Sequence, residues 1–327
     1  MDTSVTRALG IEHPIIQAPI GGLSVPALAG AVANAGGLGM MAQSWMTPDE
    51  QREAIAQTRA ITDKPFGINL IIDDRREQEE RLAIALAEGV KVISFFWGDP
   101  APFIDDVHRA GALALLTTGS AAEAKQAVDD GVDIIVAQGW EAGGHVWGDV
   151  STLALVPAVV DALGDTPVIA AGGIADGRGL AAALALGAGA AWMGTRFVAS
   201  SESPAHPEWV AKILRSAETD TYHSSLFDIG WPDAPHRVLR NRTIDAWIEA
   251  GRPPSGQRPG EGEVLARRPD GTEILRYQSV SARATVTGDI DALSLWAGQS
   301  VGLVHDVLPA AEIVRRTAEE AARILRR

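Results

Sequence analysis

The sequence predicts an α/β protein: a (β/α)8 TIM barrel with a smaller inserted second domain near the C-terminus. Three observations carry this. Short apolar runs bounded by Gly or Pro alternate with longer Ala-rich stretches eight times within about 200 residues. Most runs, such as VDIIVA (132–137) and TPVIAA (166–171), are continuous rather than alternating, which suits strands buried on both faces of a parallel sheet. The chain holds 34 glycines but only 5% aromatic residues, so its helices can lie close on a sheet. A doubly wound open sheet uses the same units and is the alternative; eight consecutive units make closure the economical solution.

The first run is Pro14–Ala18, followed by a helix-like stretch from Val25 to Ala35. Leu38–Ala42 comes next, then a helix opening at Thr47–Pro48. A Thr hydroxyl caps a first turn, and Pro has no N–H to lose there. Phe66–Ile71 is the third run and Arg75–Glu88 the charged helix after it. Lys91–Phe96, Ala112–Thr117, Val132–Gln138, Val168–Ala171 and Ala190–Gly194 complete the eight. The pattern then breaks: residues 217–300 hold Pro/Gly-rich stretches (GRPPSGQRPGEGE) and read as an insertion over or beside the barrel mouth. Ala310–Arg327 carries Ile313, Ala321, Ile324 and Leu325 at helical spacing and reads as a closing amphipathic helix. The expected division is therefore 1–216 plus 301–327 for the barrel and 217–300 for a lid domain.

Charge and composition exclude several functions. A formal net charge of −14 repels nucleic-acid phosphates and anionic membranes, so neither is an expected partner. With no cysteine, disulfides, thiolate nucleophiles and iron–sulfur sites are absent. The N-terminal MDTSVTRALGIEHPIIQAP lacks a basic-then-apolar signal, and no apolar run reaches about 18 residues. A cytoplasmic enzyme is the expectation; the assembly is open, with a homodimer among the options. A Schiff-base aldolase needs a lysine at the barrel mouth, but Lys64, Lys91, Lys125 and Lys212 fall before strands or on helices. No metal site is expected either, because the first strand ends in IIQAPI without ligands.

Two loops suggest a phosphate site. After the seventh run comes AAGGIADGRG, where Gly172 and Gly173 expose backbone N–H groups beside a helix start and Asp176 can cap that helix. The eighth run ends in MGTRF, where Gly194 and Thr195 add donors. Glycines alone merely turn a chain, but barrels bind phosphate after these two strands. Arg196 either joins them or points outward to an acid.

The sixth run leads into AQGWEAGGHVWGD, which places His145 among glycines at the barrel mouth. Glycines let a flat ring approach the backbone. Trp140 and Trp147 flank the histidine and are read as apolar walls of a substrate pocket, where a neutral imidazole would serve as base or donor. Glu141 either orients a neighbour or caps a turn. Asn69, Gln138 and the Gln17–Gly21 backbone supply donors and acceptors without clustered charge, as a neutral heterocycle needs.

QAPIGG, GINL, QGWEAGGH, AAGGIADGRGLAAALALGA and MGTRF, with RVLRNR (237–242) and WAGQSVGLV (296–304), resemble the nitronate monooxygenase (formerly 2-nitropropane dioxygenase) family over nearly the whole chain. The resemblance implies FMN as cofactor, His145 as catalytic residue, and FMN contacts at Ala18, Pro19, Ile20, Asn69, Gln138, Gly143, Gly144, Ala171, Gly172, Gly173, Gly194, Thr195 and Gln299. It implies oxidation of a nitronate or nitroalkane by dioxygen to a carbonyl compound and nitrite. An NAD(P)H:quinone reductase and an FMN-dependent enoyl-thioester (enoyl-ACP) reductase resemble the sequence around GGH and are the rivals. The stretch VWGDVST is less typical of the family, so the substrate stays open.

Overall fold

Eight parallel strands close into a barrel in the computed structural model, which describes residues 1–73 and 78–326. They are β1 (Ile15–Gln17), β2 (Leu38–Ala42), β3 (Phe66–Ile71), β4 (Val92–Phe96), β5 (Leu113–Thr118), β6 (Ile134–Gln138), β8 (Val168–Ala171) and β9 (Ala190–Met193). A two-residue strand, β7 (Gly144–His145), lies in the connection after β6, outside the barrel. Strand β9 returns to β1 with Ile16 opposite Trp192, which closes the ring.

The continuous apolar runs follow from this closure, because both faces of each strand are buried. Ile16, Met40, Val136 and Ile169 join the inner cluster, while Ile15, Met41, Ile135 and Val168 face the surrounding helices. The sequence reading missed a first helix, Ser4–Leu9, capped by Thr3. Thr3 Oγ1 donates to the Gly189 carbonyl just before β9, and Val5 and Leu9 close the N-terminal end of the barrel. The far end is thereby left for function.

Pro48–Ile61 opens as its sequence predicts, with Thr47 and Glu50 exchanging a reciprocal capping pair. The charged helix expected over 75–88 is seen as Glu79–Ala87; residues 75–77 lie outside the described residues. Ala310–Leu325 is the closing helix, its apolar face on Gly177–Ala185 and Pro26–Asn34; Arg327 lies outside the described residues.

Residues beyond the barrel make two small sheets. One is β10 (Thr221–Ser224), β11 (His236–Leu239) and β7; the other is β13 (Glu273–Leu275), β12 (Val264–Arg267) and β14 (Thr287–Gly288). They share a second core built on Phe227, Val238, Tyr277 and Leu293. That core also takes in Leu23, Val198, Trp209 and Ile213, so it reaches past residue 217 towards the N-terminus. Among the described residues no helix is long and apolar enough to cross a membrane, and no cluster of acidic or histidine side chains is placed to hold a metal ion.

Candidate active site

A cavity of about 850 Å³ opens where the C-terminal strand ends meet the second core. Ala18, Pro19, Ile20, Asn69, Gln138, Gly143, Gly144, His145, Ala171, Gly172, Gly173, Gly194 and Thr195 all line it. The structure thus brings together residues from β1, β3, β6, β8 and β9 that are far apart in sequence.

The turn after β1 is braced from below. Gln17 is fully buried; its amide N–H donates to the Ala18 carbonyl and to Ser24 Oγ, and its oxygen accepts from Met40 N–H at 3.2 Å. Ser24 Oγ in turn accepts from Ile20 N–H at 2.7 Å. The Ala18–Ile20 backbone is held by side chains, which leaves its cavity side for a ligand.

His145 is held by main-chain pairing. Strand β7 pairs antiparallel with β11, His145 opposite His236. The Gln138 amide spans the loop, donating to the His145 carbonyl at 3.1 Å and accepting from Trp147 N–H at 2.9 Å. The half-buried imidazole lies 3.8 Å from the Trp231 ring and 5.4 Å from the Trp296 ring, centroid to centroid, and its Nε2 is 3.4 Å from Ser279 Oγ. Trp97 approaches edge-on at 5.8 Å, with its own φ at +66°, a left-handed conformation that costs a bulky residue.

Behind it, His236 is fully buried. Its Nδ1 is 2.9 Å from the Ala234 carbonyl, and its Nε2 accepts from Phe227 N–H at 3.1 Å. This arrangement fixes the neutral ring with its proton on Nδ1, and burial pulls its pKa down to about 4.

Glu141 caps a helix from outside it. Ser151, at the N-cap of Thr152–Leu163, makes no side-chain cap bond. The Glu141 carboxylate instead accepts from Thr152 N–H at 2.9 Å and from Thr152 Oγ1 at 3.0 Å. A negative group there also favours the positive helix end.

Three expected residues are not among those lining the cavity. Trp140 lies under Arg237, whose guanidinium sits 4.1 Å over its ring and donates to its carbonyl at 2.9 Å; burial lowers the Arg237 pKa to about 10. Trp147 turns outward past buried Val146, donates its indole N–H to Glu123 and packs edge-on against Trp97. Gln299 donates its backbone N–H to Glu141, while its neighbours Gly298 and Ser300 line the cavity. The aromatic walls are Trp45, Phe96, Trp192, Trp231 and Trp296 instead.

The helix start after β8 is already occupied. Asp176 caps Gly177–Ala185 through Arg178 and Gly179 N–H, and Glu320 accepts from Gly177 N–H. Two carboxylates therefore occupy that helix start. The Gly172–Gly173 and Gly194–Thr195 turns line the cavity. Arg196 points away and pairs with Asp306 at 2.9 Å.

Trp231, Trp296 and Ser279 were not found from sequence, because they sit in the 217–300 stretch, which has no periodicity to follow. The nine tryptophans in a chain with only 5% aromatic residues were the available signal.

Comparison with known proteins agrees with this architecture. The nitronate monooxygenase family model matches residues 2–82 and 75–320. The chain is 41% identical over 251 residues to a (3aS,4S,5R,7aS)-5-hydroxy-7a-methyl-1-oxo-octahydro-1H-indene-4-carboxyl-CoA dehydrogenase of Mycobacterium tuberculosis, covering 76% of this chain and 69% of that one. It is 35% identical to a nitronate monooxygenase of Pseudomonas aeruginosa, covering 98% and 99%. The structure of FabK from Thermotoga maritima superposes with a TM-score of 0.83 at 35% identity, covering 100% of this chain and 98% of FabK. On sequence and fold together, this chain belongs to the nitronate monooxygenase family, a family of oxidoreductases.

Proposed function

We propose that the chain is an FMN-dependent enzyme that oxidises alkyl nitronates with dioxygen to a carbonyl compound and nitrite, with His145 as base or anion stabiliser. The setting of His145 carries the reading: an imidazole held at the cavity wall by strand pairing and flanked by Trp231 and Trp296.

The cavity fits FMN on two counts. At about 850 Å³ it falls inside the range of roughly 300–1,000 Å³ typical of small-molecule sites. A Cβ added at Gly194 would meet only the Ala18 Cβ, at 3.7 Å, so this turn leaves room for a group against its backbone. Asn69, Gln138 and the Ala18–Ile20 backbone would hold the ring system, with the Gly172–Gly173 and Gly194–Thr195 turns holding the phosphate. Bound there, FMN would supply the acceptance of electrons from substrate and their delivery to dioxygen.

The chain's own residues supply the rest. Trp45, Trp231 and Trp296 make an apolar wall that limits water at the reacting centre. Ser279 beside Nε2 and the Gln138 brace set the position of the His145 ring. The imidazole then accepts the α-proton of a nitroalkane or donates to a nitronate oxygen. Replacing His145→Asn is expected to leave flavin absorbance intact and lower turnover about 10²-fold or more. Unchanged turnover overturns the assignment.

A second reading is an NAD(P)H:quinone reductase or an enoyl-thioester (enoyl-ACP) reductase on the same barrel; the 41% identical relative, named as a dehydrogenase of a carboxyl-CoA, supports the thioester form of it. Anaerobic addition of NADH or NADPH separates the two. A flavin that stays oxidised supports the nitronate reading; rapid bleaching moves the function to the reductase.

A further inference from the structure

The rim of the cavity carries two arginines that form no ion pair among the described residues. Arg268 and Arg283 both line it. Among the described residues neither has a carboxylate within ion-pair distance. Neighbouring arginines are committed: Arg258 to Asp228 and Glu261, Arg267 to Glu273, and Arg276 to Glu263. Asp270 is the one acid among the described rim residues; its Oδ1 accepts from Thr272 N–H at 2.9 Å within its own turn, and Arg268 acts on it from beyond ion-pair distance.

Both arginines stand on fixed backbone. Arg268 N–H donates to the Thr272 carbonyl and Gly271 N–H to the Arg268 carbonyl, each at 2.9 Å, which closes the turn between β12 and β13. Arg283 lies on a strap held by His206 N–H to the Ala282 carbonyl and Ala284 N–H to the Pro204 carbonyl, each at 2.8 Å. In a chain of net charge −14, two guanidinium groups at a cavity mouth, without an ion pair among the described residues, make a local attraction for anions. Their planar donor forks match the oxygen pairs of phosphate. A nitronate has one small anionic group, which His145 handles at the cavity wall. The rim arginines therefore answer to a second anionic group on a longer ligand.

We propose that Arg268 and Arg283 form a phosphate-recognition site for the nucleotide tail of a ligand whose reactive end reaches His145. Two sources present this chemistry: the phosphates of a CoA thioester and the diphosphate of a nicotinamide dinucleotide. The proposal rests on the His145 cavity being the reaction site, whichever donor reacts there.

The test is calorimetric titration of the purified, flavin-containing protein with CoA, NADPH and pantetheine, the last having no phosphate. The Arg268→Gln/Arg283→Gln double variant is titrated alongside, with its melting temperature and flavin absorbance recorded. CoA or NADPH is expected to bind, with a Kd at least about tenfold weaker in the double variant. Pantetheine is expected to distinguish the two proteins little. Loss confined to CoA identifies a thioester tail; loss confined to NADPH identifies a dinucleotide. Failure of both to bind, or an unchanged Kd in the double variant, overturns the site. A protein that takes up no FMN sinks the reading of the deeper cavity, while the titration still decides on the rim arginines.

Discussion

Adding one methyl group at Gly143 tests whether the cavity wall depends on backbone packed directly against backbone. A Cβ there would lie 2.2 Å from Gly298 N, 2.3 Å from Ala297 C and 2.8 Å from Ala297 Cα. All three are main-chain atoms, so no side chain can rotate away. Restoring ordinary contact needs the two segments to part by about 1 Å. Two bonds set their separation: Gln299 N–H to the Glu141 carbonyl at 2.9 Å and Gly298 N–H to Thr195 Oγ1 at 3.0 Å. Overpacking costs about 1–3 kcal/mol, and a weakened buried hydrogen bond a similar amount. Gly143→Ala is therefore expected to lower stability by about 2–5 kcal/mol, a fall in Tm of about 3–7 °C for a chain of this size. His145 is two residues away, and a displacement near 1 Å at a reacting group costs about 10²-fold in rate. Gly144→Ala is the control. Gly144 has φ +71° and no atom within 4 Å of an added Cβ, so its cost is backbone conformation alone, about 1–2 kcal/mol. Scanning calorimetry and turnover on both variants decide the matter. A Gly143→Ala protein that melts within about 1 °C of the parent and turns over normally refutes the close-approach reasoning.

His236 predicts a pH dependence of stability. Its folded pKa, about 4, lies below the ordinary histidine value of 6.5, so the unfolded chain binds the proton first as pH falls. Stability should be full above about pH 6.5 and decline towards pH 4, by about 3 kcal/mol in total from this group. His236→Asn removes the titration, so urea midpoints at neutral and acid pH should draw closer in the variant; an equal acid loss in both proteins counts against it. Glu141→Ala should lower stability by about 1–2 kcal/mol through the lost helix cap, and turnover further, because the same carboxylate holds the loop that carries His145. A change in Tm with turnover untouched would separate the cap from the loop.

Much of the fold was legible because its signals are local. Continuous apolar runs mark strands buried on both faces, and the Thr47–Pro48 start carries its own cap and first residue. The strand-end glycines, Asn69, Gln138 and His145 were legible for a related reason: in a barrel, a residue at a strand's C-terminal end reaches the same mouth as its counterparts on other strands. The signal weakened wherever a side chain's direction depended on a partner distant in sequence. Trp140 and Trp147 flank His145 in the chain and looked like its walls. Their orientation is set by Arg237 on β11 and by Glu123 on the helix Ala121–Asp129, and neither is visible from the local motif.

By itself, then, the sequence determined an eight-unit barrel, the strand ends that share its mouth, and the histidine among glycines there, since period, capping and turn chemistry are properties of neighbouring residues. Tertiary structure alone decided which aromatic rings surround that histidine, that Glu320 joins the Asp176 cap at the helix start beside Gly172 and Gly173, and that Arg268 and Arg283 stand at the rim without an ion pair among the described residues. Those outcomes depend on which surfaces of residues 217–300 and of the closing helix meet the barrel, and contacts between segments with no shared periodicity leave no trace in either one.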